Sequence, residues 1–530
     1  MARKLTAFSK LLITILIVGA IVFGVQHFLN NTSAGQDLKD QSDTAQTDNY
    51  SDNSNNANAS RDREDRDNNA DIIKVGVVTW GGYAGGQYFN EGFKANRNSR
   101  FYKDYGFQVE FKILDDFEAS RAAFKNDDVN LLWATIDAFP TEVNALKPYD
   151  PVVVFQADWS RGGDAIVARR GINRVKDLKG KKIAVAELTP SHSFLIWLLE
   201  AGGLTTKDVD IVFQANAIDA AEIFKSGQVD AAVVWSPDDE ACVQAVPGAR
   251  VLESSKSASN IIADFFMAKR DWVDANQNKV RQLYEGWMKG AAEINSSDSN
   301  KKKAAKILAE NFAGFTVDDT YKAINNVRLT THGDNLNFFG LNRENNGVTG
   351  NSLYTRMAQT YKDLGYIEGS VPNWRLISYP QIVESTKGLA GSQHAAEKAK
   401  AFTKITADEG KGKEAIASKQ VSIRFRTGEF RLDENAKYII DREFVEIAKA
   451  FGNKRIRIEG NTDSTGGHDS NVSLSEKRAS AVRDYLVSEH NMPYNRFIVV
   501  GNGPDKPVAS NESENGRAQN RRTDFELVAD

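Results

Sequence analysis

The sequence predicts an α/β chain in two folded parts, and three observations predict it. Short apolar runs alternate with helical periodicity between residues 72 and 235, the pattern of a strand layer flanked by helices. A second series of strands and helices begins near residue 421, after a glycine-containing stretch. Ahead of both lie an apolar run at 11–25 and a polar tract at 30–70 that has almost nothing to bury.

Composition bounds the answer. A length of 530 residues leaves room for two or three domains, and a net charge of −4 gives no sign of a nucleic-acid partner. The single cysteine, Cys242, excludes an internal disulfide framework and a cysteine-based metal site. No cysteine follows the N-terminal apolar run, so a lipoprotein is excluded too. Six histidines occur, none in a His-x-x-x-His pair, and neither metal nor cofactor is expected.

Arg3, Lys4 and Lys10 precede the apolar run, which continues raggedly to Leu29. As a helix, about 19 residues reach roughly 28 Å, enough to cross a hydrocarbon core. Basic residues before the run and acidic residues after it place the N-terminus in the cytoplasm. Residues 1–29 are therefore expected to be an uncleaved signal anchor, with Thr32-Ser33-Ala34 a poor cleavage site. The tract at 30–70 reads as a disordered linker.

From residue 72 an apolar strand runs into Trp80-Gly81-Gly82-Tyr83-Ala84-Gly85-Gly86, whose glycine spacing fails the dinucleotide fingerprint. Further strands are expected at 109–114, 129–134, 165–169, 182–186, 209–213 and 231–235, in parallel sheets. Ligands of such sheets sit beyond the C-terminal strand ends. That rule selects Trp80, Gly82 and Tyr83, then Trp133, Thr135 and Asp137, then Thr189, Ser191 and His192, and finally Trp235 and Asp238. Three tryptophans and a tyrosine at strand ends outline an aromatic-walled cleft, against the plainer reading of aromatics packed at sheet edges. Helix starts after Gly82 and Ser191 favour an anion, whereas Asp137, Asp238 and Asp239 favour a caged cation. The sequence leaves that choice open.

Ala165-Ile166-Val167-Ala168, the stretch Val175-Lys176-Asp177-Leu178-Lys179-Gly180-Lys181-Lys182, and Gly227-Gln228-Val229-Asp230 running on to Trp235 are similar to periplasmic substrate-binding proteins of the nitrate/sulfonate/taurine type. The resemblance covers about 71–386. It implies a two-lobed periplasmic-binding-protein fold, type II-like, closing on a small-molecule solute that is delivered to an ABC permease. Lobe one is expected at 72–158 plus the return after 261, lobe two at 163–260. Packing helices are expected at 272–294, 301–312 and 353–364, and a linker at 387–420, partly helical near 394–402.

The most specific stretch lies near the C-terminus. A strand at 455–459 enters Gly460-Asn461-Thr462-Asp463-Ser464-Thr465-Gly466, and Ser473-Leu474-Ser475-Glu476 reads as a capping box opening a helix. Leu474, Ala481, Val482, Tyr485 and Leu486 share a stripe of that helix with Arg478. An inward guanidinium needs an anionic partner, and Asp463 is the nearest candidate. Opposite charges facing one cleft suit a zwitterion; the plainer readings are a structural salt bridge or a snorkelling arginine. Thr462-Asp463-x-x-Gly466, Asn471-x-x-Leu474-Ser475-x-x-Arg478-Ala479 and Gly516-Arg517-Ala518-Gln519-Asn520-Arg521-Arg522 resemble the OmpA-like peptidoglycan-binding domain. Over 421–530 this implies an α+β domain whose first strand is expected at 421–425. It also implies that Asp463 and Arg478 bind diaminopimelate of the stem peptide, with Thr462, Asn471, Leu474 and Arg521 around them. Asn461 stands where that family more often has histidine.

Together these readings describe a single-pass inner-membrane protein whose bulk lies in the periplasm, bound to the cell wall and to a solute. The alternative is an envelope sensor or structural coupler without a transport role. No nucleophile elbow, P-loop or spaced carboxylate pair points to an enzyme. Fungal thiamine-pyrimidine synthases resemble the lobes, but their cysteine-rich site cannot be built with Cys242 alone.

Overall fold

The computed structural model describes residues 72–529 except 424, 426 and 427, and the expected anchor and first linker lie outside them. Among the described residues, no helix is long and apolar enough to cross a membrane.

Three sheets organise the chain. The first contains β1 (Ile72–Val77), β2 (Gln108–Ile113), β3 (Leu131–Thr135), β4 (Pro151–Ser160), β10 (Ala263–Lys269) and β11 (Val327–Leu329), in the order β11-β4-β10-β3-β1-β2. The second holds β5 (Asp164–Ala168), β6 (Lys182–Ala186), β7 (Asp210–Gln214), β8 (Ala231–Trp235) and β9 (Arg250–Ser254), in the order β7-β6-β8-β5-β9. These are the two lobes. Both sheets are mixed rather than parallel: β1 pairs parallel with β2 and β3, whereas β10 runs antiparallel to β3 and β4, and β5 antiparallel to β8 and β9. The antiparallel strands flank the two crossings between lobes, where the chain leaves one sheet and enters the other without a crossover helix.

Lobe one is built on a close helix approach. Gly85 and Gly86 in the Ala84–Phe89 helix face the Gln277–Ser296 helix, where a Cβ on Gly290 would lie 2.1 Å from the Gly85 carbonyl oxygen. Trp287 of that helix is fully buried and meets Phe111, Phe155 and Phe266 at centroid distances of 5.7, 5.2 and 4.8 Å. The expected helix at 272–294 is in fact two, Arg270–Ala275 and Gln277–Ser296, broken at Asn276.

At the crossings, Ser255 Oγ accepts from the Gly162 N–H at 2.8 Å and meets Ser160 Oγ at 2.7 Å. Ser160 in turn donates to Asp164 at 2.7 Å. Cys242 is buried beneath β5 and β8, and burial pushes its thiol up to about 11.

The third sheet forms the C-terminal domain: β12 (Ala415–Val421), β13 (Arg455–Asn461), β14 (Phe497–Gly503) and β15 (Thr523–Val528), in the order β12-β15-β13-β14. Its first strand starts inside the stretch expected as linker and ends where the strand was expected to begin. Of the helix expected near 394–402 only a 3-10 turn at Ser392–His394 forms, and a short α-helix follows at Ala407–Lys411. The long helix runs His468–His490, so Ser473 lies inside it rather than capping it. The tight seat of that helix holds its first turns: a Cβ on Gly460 would sit 2.1 Å from the Ser475 carbonyl oxygen, and one on Gly501 2.6 Å from that of Val472. Its inward face is Asn471, Ser475, Arg478, Ala479, Val482 and Leu486, which keeps Arg478, Val482 and Leu486 of the expected stripe, with Leu474, Ala481 and Tyr485 half-buried.

The domain touches lobe two through Lys454 and Glu253 at 3.2 Å, and its Ala450 carbonyl accepts from the Asn260 N–H at 3.1 Å. Overpacking a seat as tight as that of Gly290 costs about 1–3 kcal/mol. Gly290→Ala should therefore lower the urea midpoint of the lobe-one transition, and an unchanged midpoint would show that the two helices can part.

Candidate functional site

Two sites emerge, one at the end of β13 and one between the lobes. At the first, the chain leaves β13 through Thr462 and Asp463 and turns into the His468–His490 helix. Asp463 Oδ1 accepts from the Thr465 N–H at 2.8 Å, an Asx turn, and Oδ2 accepts from Arg521 Nη1 at 2.5 Å. Arg521 also reaches Glu514 at 2.7 Å. Asn471 donates to the Thr465 carbonyl at 3.0 Å and so fixes the loop from the helix side.

Arg478 lies on the same helix, its Nε donating to the Glu429 carbonyl at 3.1 Å and its guanidinium 4.8 Å from the centre of the Phe425 ring. Asp463 and Arg478 are each 7% exposed, and the salt bridge of Asp463 is made with Arg521 rather than, as the plainer reading had it, with Arg478. Burial pushes the Asp463 carboxyl up, but the hydrogen bonds from Arg521 and Thr465 outweigh it and hold the group below its ordinary value. Burial, then repulsion from Arg521, lowers Arg478, while Asp463 acts in the opposite direction. The site therefore gathers Asp463, Arg478, Arg521 and Asn471, with Leu474 half-buried one turn before Arg478. The Thr462 hydroxyl is buried here with no hydrogen-bond partner. Asn461 points away into the sheet, bridging Asp524 at 3.1 Å and Asn502 at 3.1 Å.

At the second site, the lobes close on an inner cavity of about 20 Å³ lined by Trp80, Trp133, Thr135, Trp235, Asp164 and Asp264 among others. An outer cavity of about 240 Å³ shares Trp133, Thr135 and Pro190 with it and adds Phe117, Arg121, Glu142 and Thr189. The Trp80 indole donates to Asp158 at 3.1 Å and packs so closely on the other lobe that a Cβ on Gly163 would overlap its ring at 2.0 Å. Gly82 is obligatory for a related reason: a Cβ there would fall 1.4 Å from the Asp158 carboxylate. Tyr83 is buried beneath the cavity and donates to Asp264 at 2.5 Å. Trp235 donates to Ser191 Oγ at 3.0 Å.

Not every residue selected from the sequence reaches the cleft. His192 turns into the core against Phe213, Tyr361 and Tyr366, where its Nδ1 accepts from the Leu188 N–H, and burial lowers it to about 4. Asp238 lies at the start of the Asp238–Ala245 helix, half-buried and within electrostatic reach of Lys225, and lines neither cavity. Asp137 is fully buried behind Thr135, with the Ser193 and Thr135 hydroxyls turned toward its carboxylate.

Conversely, Asp158, Asp164 and Asp264 escaped the sequence reading. With Asp137 they form a group of four carboxylates, none more than 4% exposed. Burial raises Asp137 to about 7, Asp158 to about 8 and Asp164 to about 7, and with the neighbouring Asp158 charge it lifts Asp264 well above the carboxylate range.

Comparison with known proteins follows this division. Residues 424–521 match the OmpA family, and residues 99–319 match the family described as "ABC transporter, phosphonate, periplasmic substrate-binding protein". The C-terminal domain is 37% identical over 111 residues to outer membrane porin F of Pseudomonas aeruginosa, covering 21% of this chain and 31% of that one. It is 39% identical over 90 residues to the peptidoglycan-binding protein ArfA of Mycobacterium tuberculosis, covering 17% of this chain and 27% of that one. The chain thus spans about a third or less of the length of these two relatives.

Among solved structures, the aliphatic sulphonate binding protein SsuA of Escherichia coli aligns with 18% identity, a TM-score of 0.47, and coverage of 59% of this chain and 99% of that one. The nitrate-binding protein NrtA of Synechocystis PCC 6803 aligns with 13% identity, a TM-score of 0.47, and coverage of 61% and 91%. By the two family matches, the chain carries a periplasmic substrate-binding domain of the ABC-transporter phosphonate family followed by an OmpA-family domain.

Proposed function

We propose that this protein is a solute receptor held to the cell wall, with the C-terminal domain gripping peptidoglycan while the two lobes capture a small molecule. The observation that carries the reading is the pair of opposite charges at the end of β13, buried to the same extent and not bonded to each other. Diaminopimelate presents an ammonium and a carboxylate on one carbon. The ammonium suits Asp463, and the carboxylate suits the forks of Arg478 and Arg521. Wall peptide would then exchange for Arg521 on Asp463, freeing that arginine for the ligand's own carboxylate. The likeness to the mycobacterial peptidoglycan-binding protein ArfA supports this assignment.

The apolar run at 11–25 supports an inner-membrane anchor, and the 30–70 tract supports a tether long enough to reach the wall. An ABC permease would receive the solute. The contact between Lys454 and Glu253 favours a second reading, in which wall engagement and the state of lobe two are coupled without transport.

Asp463→Asn and Arg478→Ala should each abolish co-sedimentation with purified peptidoglycan, because truncating one partner of a buried charge contact costs about 2–5 kcal/mol, more than tenfold in affinity. Both variants sedimenting like the native chain would overturn the assignment. The depressed Asp463 carboxyl adds a pH expectation. It stays charged as pH falls from 8 to 5, so wall retention should be level across that range. Retention should fail only below the ordinary carboxylate value of about 3.9. A loss between pH 7 and 6 would point to a histidine instead.

A further inference from the structure

The cleft between the lobes carries a charge pattern that the family description does not anticipate. A phosphonate needs cationic or N–H donors, yet among the described residues no lysine or arginine lines the inner cavity. What lines it is acidic and aromatic. Asp164 and Asp264 face it, Asp158 stands behind the Trp80 indole, and Asp137 lies behind Thr135.

Two arginines come within electrostatic reach, and both are already held. Arg121 is bidentate to Glu142 at 2.7 and 2.8 Å, and Arg161 bonds Glu397 at 2.6 Å. Among the described residues none of the four carboxylates has an ion-pair partner. Four desolvated carboxylates without a counter-charge cost several kcal/mol each unless they take up protons or a cation. Against this, the N-terminus of the Pro190–Ala201 helix favours an anion by about 0.3–1 kcal/mol, too little to reverse the sign.

Two independent observations point to an occupant. The Trp133 indole N–H and the Thr135 hydroxyl, 2% and 4% exposed on the wall shared by both cavities, have no partner at full hydrogen-bonding distance, the hydroxyl standing toward Asp137. Trp80, Trp133 and Trp235 also line the same space, the Arg121 guanidinium already 5.0 Å from the centre of the Trp133 ring, and aromatic faces attract cations. Size then narrows the class. A cavity of about 20 Å³ admits one water-sized group. An –NH3+ head fits it and a trimethylammonium head does not. Metal binding has no support from geometry, since among the described residues no cluster of His, Cys, Asp or Glu is arranged to hold an ion.

We propose that the cleft binds a primary alkylammonium ion, its –NH3+ seated among Trp80, Trp133 and Trp235 against Asp164 and Asp264, and its uncharged tail in the outer cavity beside Phe117 and Thr189. This rests on the reading of the lobes as a solute receptor and names the solute's chemistry. A bound cation favours ionised carboxylates, so binding expels protons and strengthens as pH rises through 7–8, where Asp137, Asp158 and Asp164 titrate. The other ionisable groups facing the cluster or lining the outer cavity are the Tyr83 and Tyr361 phenols, which burial raises further from this range, Glu187, and the two arginine–glutamate pairs.

The test is thermal unfolding and calorimetry of the full chain with n-butylammonium, tetramethylammonium, methylphosphonate and methanesulfonate at matched ionic strength. Butylammonium should raise the melting temperature and bind at least tenfold tighter at pH 8 than at pH 6, with tetramethylammonium at least tenfold weaker. Asp164→Asn should weaken butylammonium at least tenfold and yet raise the melting temperature of the empty chain at pH 8. That combination would not follow from a merely structural aspartate. Asp264→Asn provides a second reading should the first variant fail to fold. Stabilisation by methylphosphonate or methanesulfonate, with no response to the amine, would overturn the cation while sparing the receptor reading. Silence toward all four compounds would overturn both.

Discussion

Everything in the receptor depends on how the chain crosses between its lobes. Ser255 holds the Gly162 N–H and meets Ser160, and Ser160 donates to Asp164, so both connecting strands are stitched together at one point. That stitch places Trp80 of lobe one against Gly163 at the root of lobe two and brings Trp235 opposite Trp133 across the inner cavity. The same crossing brings Asp158 and Asp164, six residues apart in sequence, near Trp80, Asp158 bonded to its indole N–H and Asp164 lining the cavity with it. A wall of aromatics and acids results from two strand ends being pinned rather than from any local motif.

The C-terminal domain solves a different problem by a different device. Its long helix lies so close to β13 and β14 that glycine is required at 460 and 501. This proximity carries Arg478 down toward the Asp463 loop, where a helix at ordinary spacing would leave it in solvent. Buried charge is tolerated because each polar end finds a partner: Asp463 has Arg521 and the Thr465 amide, and Arg478 has the Glu429 carbonyl and the Phe425 ring. The lobes show a different balance: Asp158, Asp164 and Asp264 each accept a hydrogen bond, from Trp80, Ser160 and Tyr83, but among the described residues none has a counter-charge. One site is therefore at rest before its ligand arrives, and the other is under electrostatic tension.

Much of this was legible in the sequence, and the failures have physical causes. Strands β6 and β8 were read to their ends because each is an apolar or β-branched run bounded by charge or turn residues. Strand β4 was missed: it opens on proline and carries Gln156, Asp158 and Ser160, which look like loop residues until both faces are covered. The capping box at Ser473 was a local signal that a tertiary contact overrode, since the close seat on Gly460 and Gly501 keeps the preceding turns helical. Asp463, Arg478, Asn471 and Arg521 were legible because their spacing is a motif. Asp158, Asp164 and Asp264 were not, because an acid near a strand end reads as solvated. Only lobe closure takes the water away. His192 reads as cleft-facing from its position at a helix start, but the helix turns that side chain toward Tyr361 and Tyr366.

The buried thiol has an experimental consequence. Cys242 is the one cysteine in the chain, it lies in the core of lobe two, and burial keeps it in the protonated, unreactive form at neutral pH. A pair of cysteines introduced on the outer surfaces of the two lobes could then be labelled with donor and acceptor dyes while the native thiol stays silent. Any change in the separation of the two lobes could be followed in single molecules, in a chain whose native core is left untouched.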